Sequence, residues 1–432
     1  MRRLTLVEEL ARVEGNGGIT VELEGEQIKN VEFNIFEGPR AIEAIIRGRP
    51  AQDVAGIVSR ICAICAGVHY LTSIKATEAA FGTRVTETTQ LLRDLFVRAG
   101  NIESHALHVF MLAAPDYLDY PGATAMAADH PAEVKLALRL KKLGNTLQEL
   151  VGGRAIHPVN PVLGGFGRIP SPEEMIRARE ELLWAINALP AALGFVAALP
   201  PTDVCDAENA YAALVMPGRY GYFHGDEIEV VRADGTRQRM AGKAYRDLTN
   251  EHVVAHSFAK HSGFEGRPFA VGALSRLMVN ERLVNAPGQL AMRRLGLHLP
   301  SRTPLDNNVA QAVELAIDLQ LALDTIEDLL AGALVPQAPV PVKPRAGTGT
   351  GVTEAPRGIL VHSYTYNEDG RVVAADVITP TAMNAASIER HFQFAVDQHK
   401  GGTDPALTKK LEMIVRAYDP CISCSVHLAR RS

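Results

Sequence analysis

The chain has 432 residues, 47% hydrophobic and 22% charged, the proportions of a soluble globular protein long enough to bury a large core. Its 44 Lys and Arg fall short of its 49 Asp and Glu, giving a net charge of −5. No basic stripe interleaved with aromatics occurs, which excludes a nucleic-acid surface.

The first 36 residues alternate apolar and polar side chains, as in ITVELEGEQIKNVEFNIF, which predicts a small N-terminal sheet with a turn at Gly25-Glu26. Between Thr86 and Leu112 the residues Leu91, Leu95, Ile102 and Val109 recur at helical spacing, and Pro115 reads as the stop. Further helical periodicity runs through about 133–151, 172–189, 308–331, 383–399 and 405–417. Helices therefore dominate an α+β chain. Pro336, Pro339, Pro341 and Pro344, followed by Gly347, Gly349 and Gly351, read as an extended linker. That glycine run neither follows a clear strand nor opens a helix, so it is a poor dinucleotide fingerprint. The next segment, GILVHSYTYNEDGRVVAADVITPT, is strand, turn, strand, with Glu368-Asp369-Gly370 at the turn.

The run Ala188–Pro201 lacks polar side chains but is too short and too proline-broken to span a bilayer. Glu8 and Glu9 stand where a signal peptide needs an apolar stretch, so a cytoplasmic protein is expected.

Four of the five cysteines form two CxxC pairs, Cys62 with Cys65 and Cys421 with Cys424. A CxxC brings two sulfurs to one metal, and thiolates favour zinc, copper(I), iron-sulfur clusters and other thiophilic ions. Three readings stay open on the pairs alone: a structural zinc, an iron-sulfur cluster, or a reactive centre. Paired zinc motifs usually close short loops, and ferredoxin-type clusters need closely spaced cysteines. Each pair also carries companions. Arg60 and Asp419 stand two positions before the first cysteines, and His69 and His427 follow the second ones. An arginine stabilises thiolates, a carboxylate holds a base or water, and a histidine orients ligands. Cys205 has no partner cysteine and reads as a free structural thiol.

R-x-C-x-x-C-x-x-x-H near the start, with D-P-C-x-x-C-x-x-H at the end, resembles the large subunit of nickel-iron hydrogenases, and DPCISCSVH is most similar to the cytoplasmic NAD(P)-linked sulfhydrogenase type. One departure is Ala63, where many members have glycine. The resemblance covers the whole chain and implies one large-subunit domain over residues 1–432, with a long-helix bundle and small peripheral sheets. It implies Cys62 and Cys421 as terminal nickel ligands and Cys65 and Cys424 as bridges to an iron that carries carbon monoxide and cyanide. In ARVEGNGG it implies Glu14 as proton carrier; in EAPRGIL, Arg357 beside the cyanides; in VITPTAMN, Thr381 as hydroxyl donor to a cyanide. Asp116 and Asp419 are implied as carboxylates near the site, with His69 orienting the thiolates. Glu43 and His427 are implied as ligands of a structural magnesium. His105 and His108 share one helix face at i, i+3 and read as structural.

By the same resemblance Leu428–Ser432 is an extension removed by a maturation endopeptidase. Once four cysteines are committed, only Cys205 remains, so the chain cannot ligate an iron-sulfur relay of its own. It lacks a Rossmann fingerprint as well. An iron-sulfur small subunit and flavin/NAD(P) diaphorase subunits are therefore expected partners. Two rivals remain: a quinone-binding respiratory subunit of the same fold, which has lost the cysteines, and a structural zinc protein.

Overall fold

The computed structural model describes residues 2–25, 27–38, 41–202, 204, 207–399 and 403–426. The long helix Glu87–Leu107 starts where the Thr86 hydroxyl accepts the Thr89 N–H, satisfying one orphan donor of the first turn. It packs along Pro131–Gly152 and against Asp306–Asp328, which in turn lies on Pro172–Ala197. Ser171 and Glu174 form a reciprocal capping box at the start of that last helix. The helix runs on through Pro190, past the expected end at 189, because burial of Leu189, Ala192, Leu193 and Val196 outweighs the hydrogen bond lost at the proline. Among the described residues it is the one helix long and apolar enough to cross a membrane; here it is a member of the bundle.

Pro115 does not end the first long helix. The backbone widens into a π-helical turn at His108–Ala113 and resumes at Ala114–Tyr117 with Pro115 in its first turn, where a missing N–H costs nothing. Helices 380–398 and 405–417 match expectation, the second residue for residue.

Three sheets flank the bundle. Arg2–Val7, Gly17–Glu24 and Gln27–Ile35 form an antiparallel meander, as the alternation predicted. Gly358–Tyr366 and Val372–Ile378 pair across the expected turn. The glycine run is not a linker: Gly347–Ala355 is the third, antiparallel strand of that sheet, in register from Gly347 opposite Tyr366 to Ala355 opposite Gly358. Its glycines let the strand lie directly on the helix Ala66–Phe81. A Cβ at Gly349 would meet Ala76 O at 2.1 Å and Ala80 N at 2.3 Å. A four-stranded sheet joins Arg237–Ala241, Glu227–Val231, Ala210–Val215 and Phe269–Ala270, the last pair parallel.

The bundle interior carries buried charge. Arg98 binds Asp94 and Asp318, and Arg276 spans Glu314 and Glu354. Tyr220, Tyr222 and His105 donate to the remaining Glu314 and Asp318 oxygens.

The strand-on-helix contact is testable. Gly349→Val forces backbone apart at the helix that begins next to Cys65, and a loss of about 3 kcal/mol is expected from overpacking, read as a lowered denaturant midpoint. A midpoint equal to wild type contradicts the contact.

Candidate metal centre

The two cysteine pairs stand at the ends of helices. Cys62 follows the turn Ser59–Ile61 that closes the helix Ala51–Val58, and Cys65 directly precedes Ala66–Phe81. Cys421 and Cys424 bracket a single turn, Ile422–Ser425, reached from Pro405–Ala417 by a bend at Asp419, whose φ is +49°.

Although 359 residues separate the pairs, their sulfurs converge. Sγ separations are 3.0 Å for Cys62–Cys421, 3.3 Å for Cys65–Cys424 and 2.6 Å for Cys421–Cys424, and all four lie within 4.8 Å of one another. Every one is buried. An all-sulfur, water-excluded donor set is what thiophilic transition metals select. Hydrogen bonds from Cys421, Cys424 and Cys65 hold the Cys62 thiol well below its ordinary range, while burial pushes Cys65, Cys421 and Cys424 up.

Glu14 reaches this cluster through backbone pairing. Glu14 forms a parallel bridge with Cys421, and its carbonyl accepts the Ile422 N–H at 2.8 Å. Its carboxylate then lies on the second pair: Oε2 accepts from Cys421 Sγ at 3.2 Å and from Ser423 N at 3.1 Å, while Oε1 takes the Ser423 hydroxyl. Gly15 permits the approach, with φ +87° and Ser423 N only 2.8 Å from where a Cβ would sit.

Arg357 is buried beside the thiols. Its Nε donates to Asp419 O at 2.7 Å and Nη2 to Asp419 Oδ1 at 2.9 Å, while Nη1 is buried with no hydrogen-bond partner among the described residues. Burial opposes its charge, but Asp419 and the cysteines Cys421, Cys65 and Cys62 more than restore it. An unspent buried N–H fits a small anionic acceptor held at the metal. Arg60, by contrast, is exposed, so the guanidinium serving the sulfurs comes from 357. Asp419 also accepts from Gln311 Nε2 at 3.0 Å.

Asp116 acts one layer out. Its carboxylate takes Arg416 through two bonds of 2.6 and 2.9 Å and also takes Arg12. It therefore fastens the Glu14 segment to the segment leading into Asp419. The Thr381 hydroxyl oxygen accepts the Cys421 N–H at 2.9 Å. His69 Nδ1 faces His362 Nε2 at 3.0 Å. His105 and His108 are buried in structural bonds, His108 donating to Arg416 O at 2.7 Å and His105 meeting Glu314 at 2.8 Å.

Glu43 lies apart from the sulfurs. Its Oε1 accepts the Val377 N–H at 2.7 Å, and burial raises its carboxyl, with Asp376 adding to the rise and Lys260 opposing it. Glu251 feels the same Asp376 and Glu43, pairs with Lys260 at 3.0 Å and leaves Oε1 buried without a partner among the described residues. An acidic pocket with unspent oxygens suits a hard cation. His427, Leu428–Ser432 and Cys205 lie outside the described residues.

A family model described as nickel-dependent hydrogenase matches residues 40–155 and 220–427. The alpha subunits of sulfhydrogenase 1 and sulfhydrogenase 2 from Pyrococcus furiosus are 38% and 37% identical, each over 98% of this chain and over 98% and 99% of their own lengths. An NAD+-reducing nickel-iron hydrogenase in its H2-reduced state superposes with a TM-score of 0.89 at 26% identity, covering 99% of this chain and all of that one. A nickel-iron-selenium hydrogenase from D. vulgaris Hildenborough shares the fold, with a TM-score of 0.77 at 22% identity. The chain belongs to the nickel-dependent hydrogenase family. Within that family it is the catalytic large subunit, which oxidises dihydrogen at a nickel-iron centre and passes the electrons to partner subunits. The quinone-module reading falls with it, since the four cysteines are present and converge.

Ser423, Gln311, Arg12 and Arg416 complete the site and were not singled out from sequence. A signal did exist for the arginines: Arg12 precedes Glu14 by two residues and Arg416 precedes Asp419 by three.

Because three of the four thiols are held protonated, a metal competes with protons for them. Apparent zinc affinity of the metal-free chain is therefore expected to rise by at least roughly tenfold from about pH 6.5 to about pH 7.5, measured against a chelator of known affinity. A flat profile contradicts this protonation pattern.

Proposed function

We propose that Cys62 and Cys421 bind nickel terminally, that Cys65 and Cys424 bridge it to an iron carrying carbon monoxide and cyanide, and that the site cleaves dihydrogen heterolytically and reversibly. The observation that carries this reading is the convergence of four buried sulfurs with the Glu14 carboxylate on Cys421. The bound centre supplies Lewis-acid polarisation of a very weak acid and takes up the electrons. The chain's own groups do the rest. The Cys421 sulfur is the first proton acceptor, Glu14 Oε2 receives that proton at 3.2 Å, and the Ser423 hydroxyl and N–H hold the carboxylate in line. Arg357, oriented by Asp419, offers Nη1 to a cyanide, and Thr381 fixes the Cys421 backbone next to the other. Asp116 positions both chain segments, and His69 orients the first cysteine pair through the helix that both occupy. Drawing two sulfurs from each end supports reading residues 1–432 as one domain.

Glu43, with His427, is proposed to hold magnesium. The relatives' names support an NAD(P)-linked enzyme with an iron-sulfur small subunit, diaphorase subunits, cytoplasmic location and endopeptidase removal of Leu428–Ser432.

Two measurements test the roles. Metal analysis with infrared spectroscopy should find nickel, iron and metal-bound cyanide and carbonyl bands; stoichiometric zinc without nickel overturns the reading. Glu14→Gln keeps the Ser423 contacts but cannot carry a proton, so hydrogen uptake should fall by about 100-fold or more at unchanged nickel content. Arg357→Lys removes the fixed fork and should cost at least roughly tenfold, with shifted cyanide bands. Wild-type rates in both variants exclude the assigned roles.

A further inference from the structure

A second set of metal-ligating side chains stands outside the sulfur pocket and outside the Glu43 pocket. His256, His261 and Glu389 each present a donor atom, and these atoms lie within 4.8 Å of one another. The two histidines come from one loop, closed by reciprocal backbone bonds between His252 and His261 of 2.9 and 3.0 Å. Glu389 comes from the helix Pro380–Gln398.

The cluster is organised beyond a casual ion pair. Glu389 Oε1 accepts the Phe33 N–H at 2.9 Å and meets His256 Nε2 at 2.7 Å, so the carboxylate is fixed in orientation from the sheet side. The other ring nitrogen of His256 faces Glu32 at 3.9 Å, the carboxylate-to-histidine arrangement that steadies a ligating imidazole. His261 is buried, yet neither of its ring nitrogens is spent. Nδ1 comes no nearer to Glu389 than 3.7 Å, and Nε2 has no hydrogen-bond partner among the described residues. A buried imidazole without a bond is costly unless something else uses it. His256 also lines a surface cavity of about 360 Å³, which gives an ion entry and leaves room for water ligands.

We propose that His256, His261 and Glu389 form a binding site for a borderline divalent transition-metal ion of the zinc class. Two imidazoles and one carboxylate select such ions over magnesium and calcium, which take oxygen ligands, and over copper(I), which takes sulfur. The ion takes the place of the proton between His256 Nε2 and Glu389, with water completing the coordination. Its position gives it a task. The same loop pairs Ala259 with Val426, two residues past Cys424, and bonds Phe258 N–H to Ile35 O at 2.8 Å. A filled site braces the loop that straps the C-terminal segment next to the sulfur pocket.

The test uses the mature, nickel-loaded enzyme, so that the four sulfurs are already occupied. Cobalt(II) is titrated in, its ligand-field bands are followed, and crystals of the cobalt form are measured at the cobalt absorption edge. One equivalent should bind, without sulfur-to-cobalt charge transfer, be displaced by zinc, and give an anomalous peak between His256, His261 and Glu389. His256→Ala and Glu389→Gln should each weaken cobalt binding by about 100-fold while hydrogen uptake persists. The proposal is overturned by an absence of stoichiometric cobalt, by charge-transfer bands of thiolate ligation, or by an anomalous peak elsewhere. Equal cobalt affinity in the variants overturns it too. The wild-type crystal decides the matter even if a variant fails to fold, and neither result depends on whether the sulfur pocket holds nickel and iron.

Discussion

Bringing four sulfur side chains together in a dry pocket is unfavourable until a metal replaces their protons, so the protein has to hold them there by other means. The means are links between the chain's two ends. Glu14 pairs in parallel with Cys421, Arg357 holds both the carbonyl and the carboxylate of Asp419, and Asp116 grips Arg12 and Arg416 at once. Each link ties a sulfur-bearing or carboxylate-bearing segment to something distant in sequence. Loss of Asp116 would leave two buried guanidiniums without their carboxylate, which typically costs about 3–5 kcal/mol.

Behind these links stands a scaffold that is rigid for physical reasons. Gln311, Glu314 and Asp318 lie three and four residues apart, on one face of the helix Asp306–Asp328. Gln311 reaches Asp419, while Glu314 and Asp318 are held by Arg276 and Arg98. The ion network thus fixes the rotation and depth of the helix that supplies a donor to the metal pocket. On the opposite side, the glycine-bearing strand seats the helix that begins at Ala66, and so sets where Cys65 points.

Much of the site was legible because its chemistry is local to short motifs. Cysteine spacing, the R-V-E-G segment, the arginine after Pro356 and the threonine after Pro380 named the right side chains, and the fold brings Glu14, Arg357, Thr381 and Asp419 to the sulfurs. What escaped notice was what periodicity cannot encode. The helix Ala66–Phe81 is buried almost all round, so it has no polar face to alternate with. The strand Gly347–Ala355 looked like a linker because its glycines answer to the helix beneath it, not to strand propensity. Pro115 looked like a terminator because a π-helical turn leaves no mark in an apolar stretch. The arginine chosen from proximity to a cysteine, Arg60, turned out to face outward, since adjacency along the chain does not fix direction in space.

The separation of the two cysteine pairs has a consequence for biogenesis. The ribosome emits Cys421 only 359 residues after Cys62, a delay of roughly 20–70 s at ordinary elongation rates. Throughout that interval the nascent chain offers a two-sulfur half-site and no more. A tetrathiolate trap for stray zinc cannot arise while translation continues, and the order of decoding itself defers metal selection to the finished polypeptide.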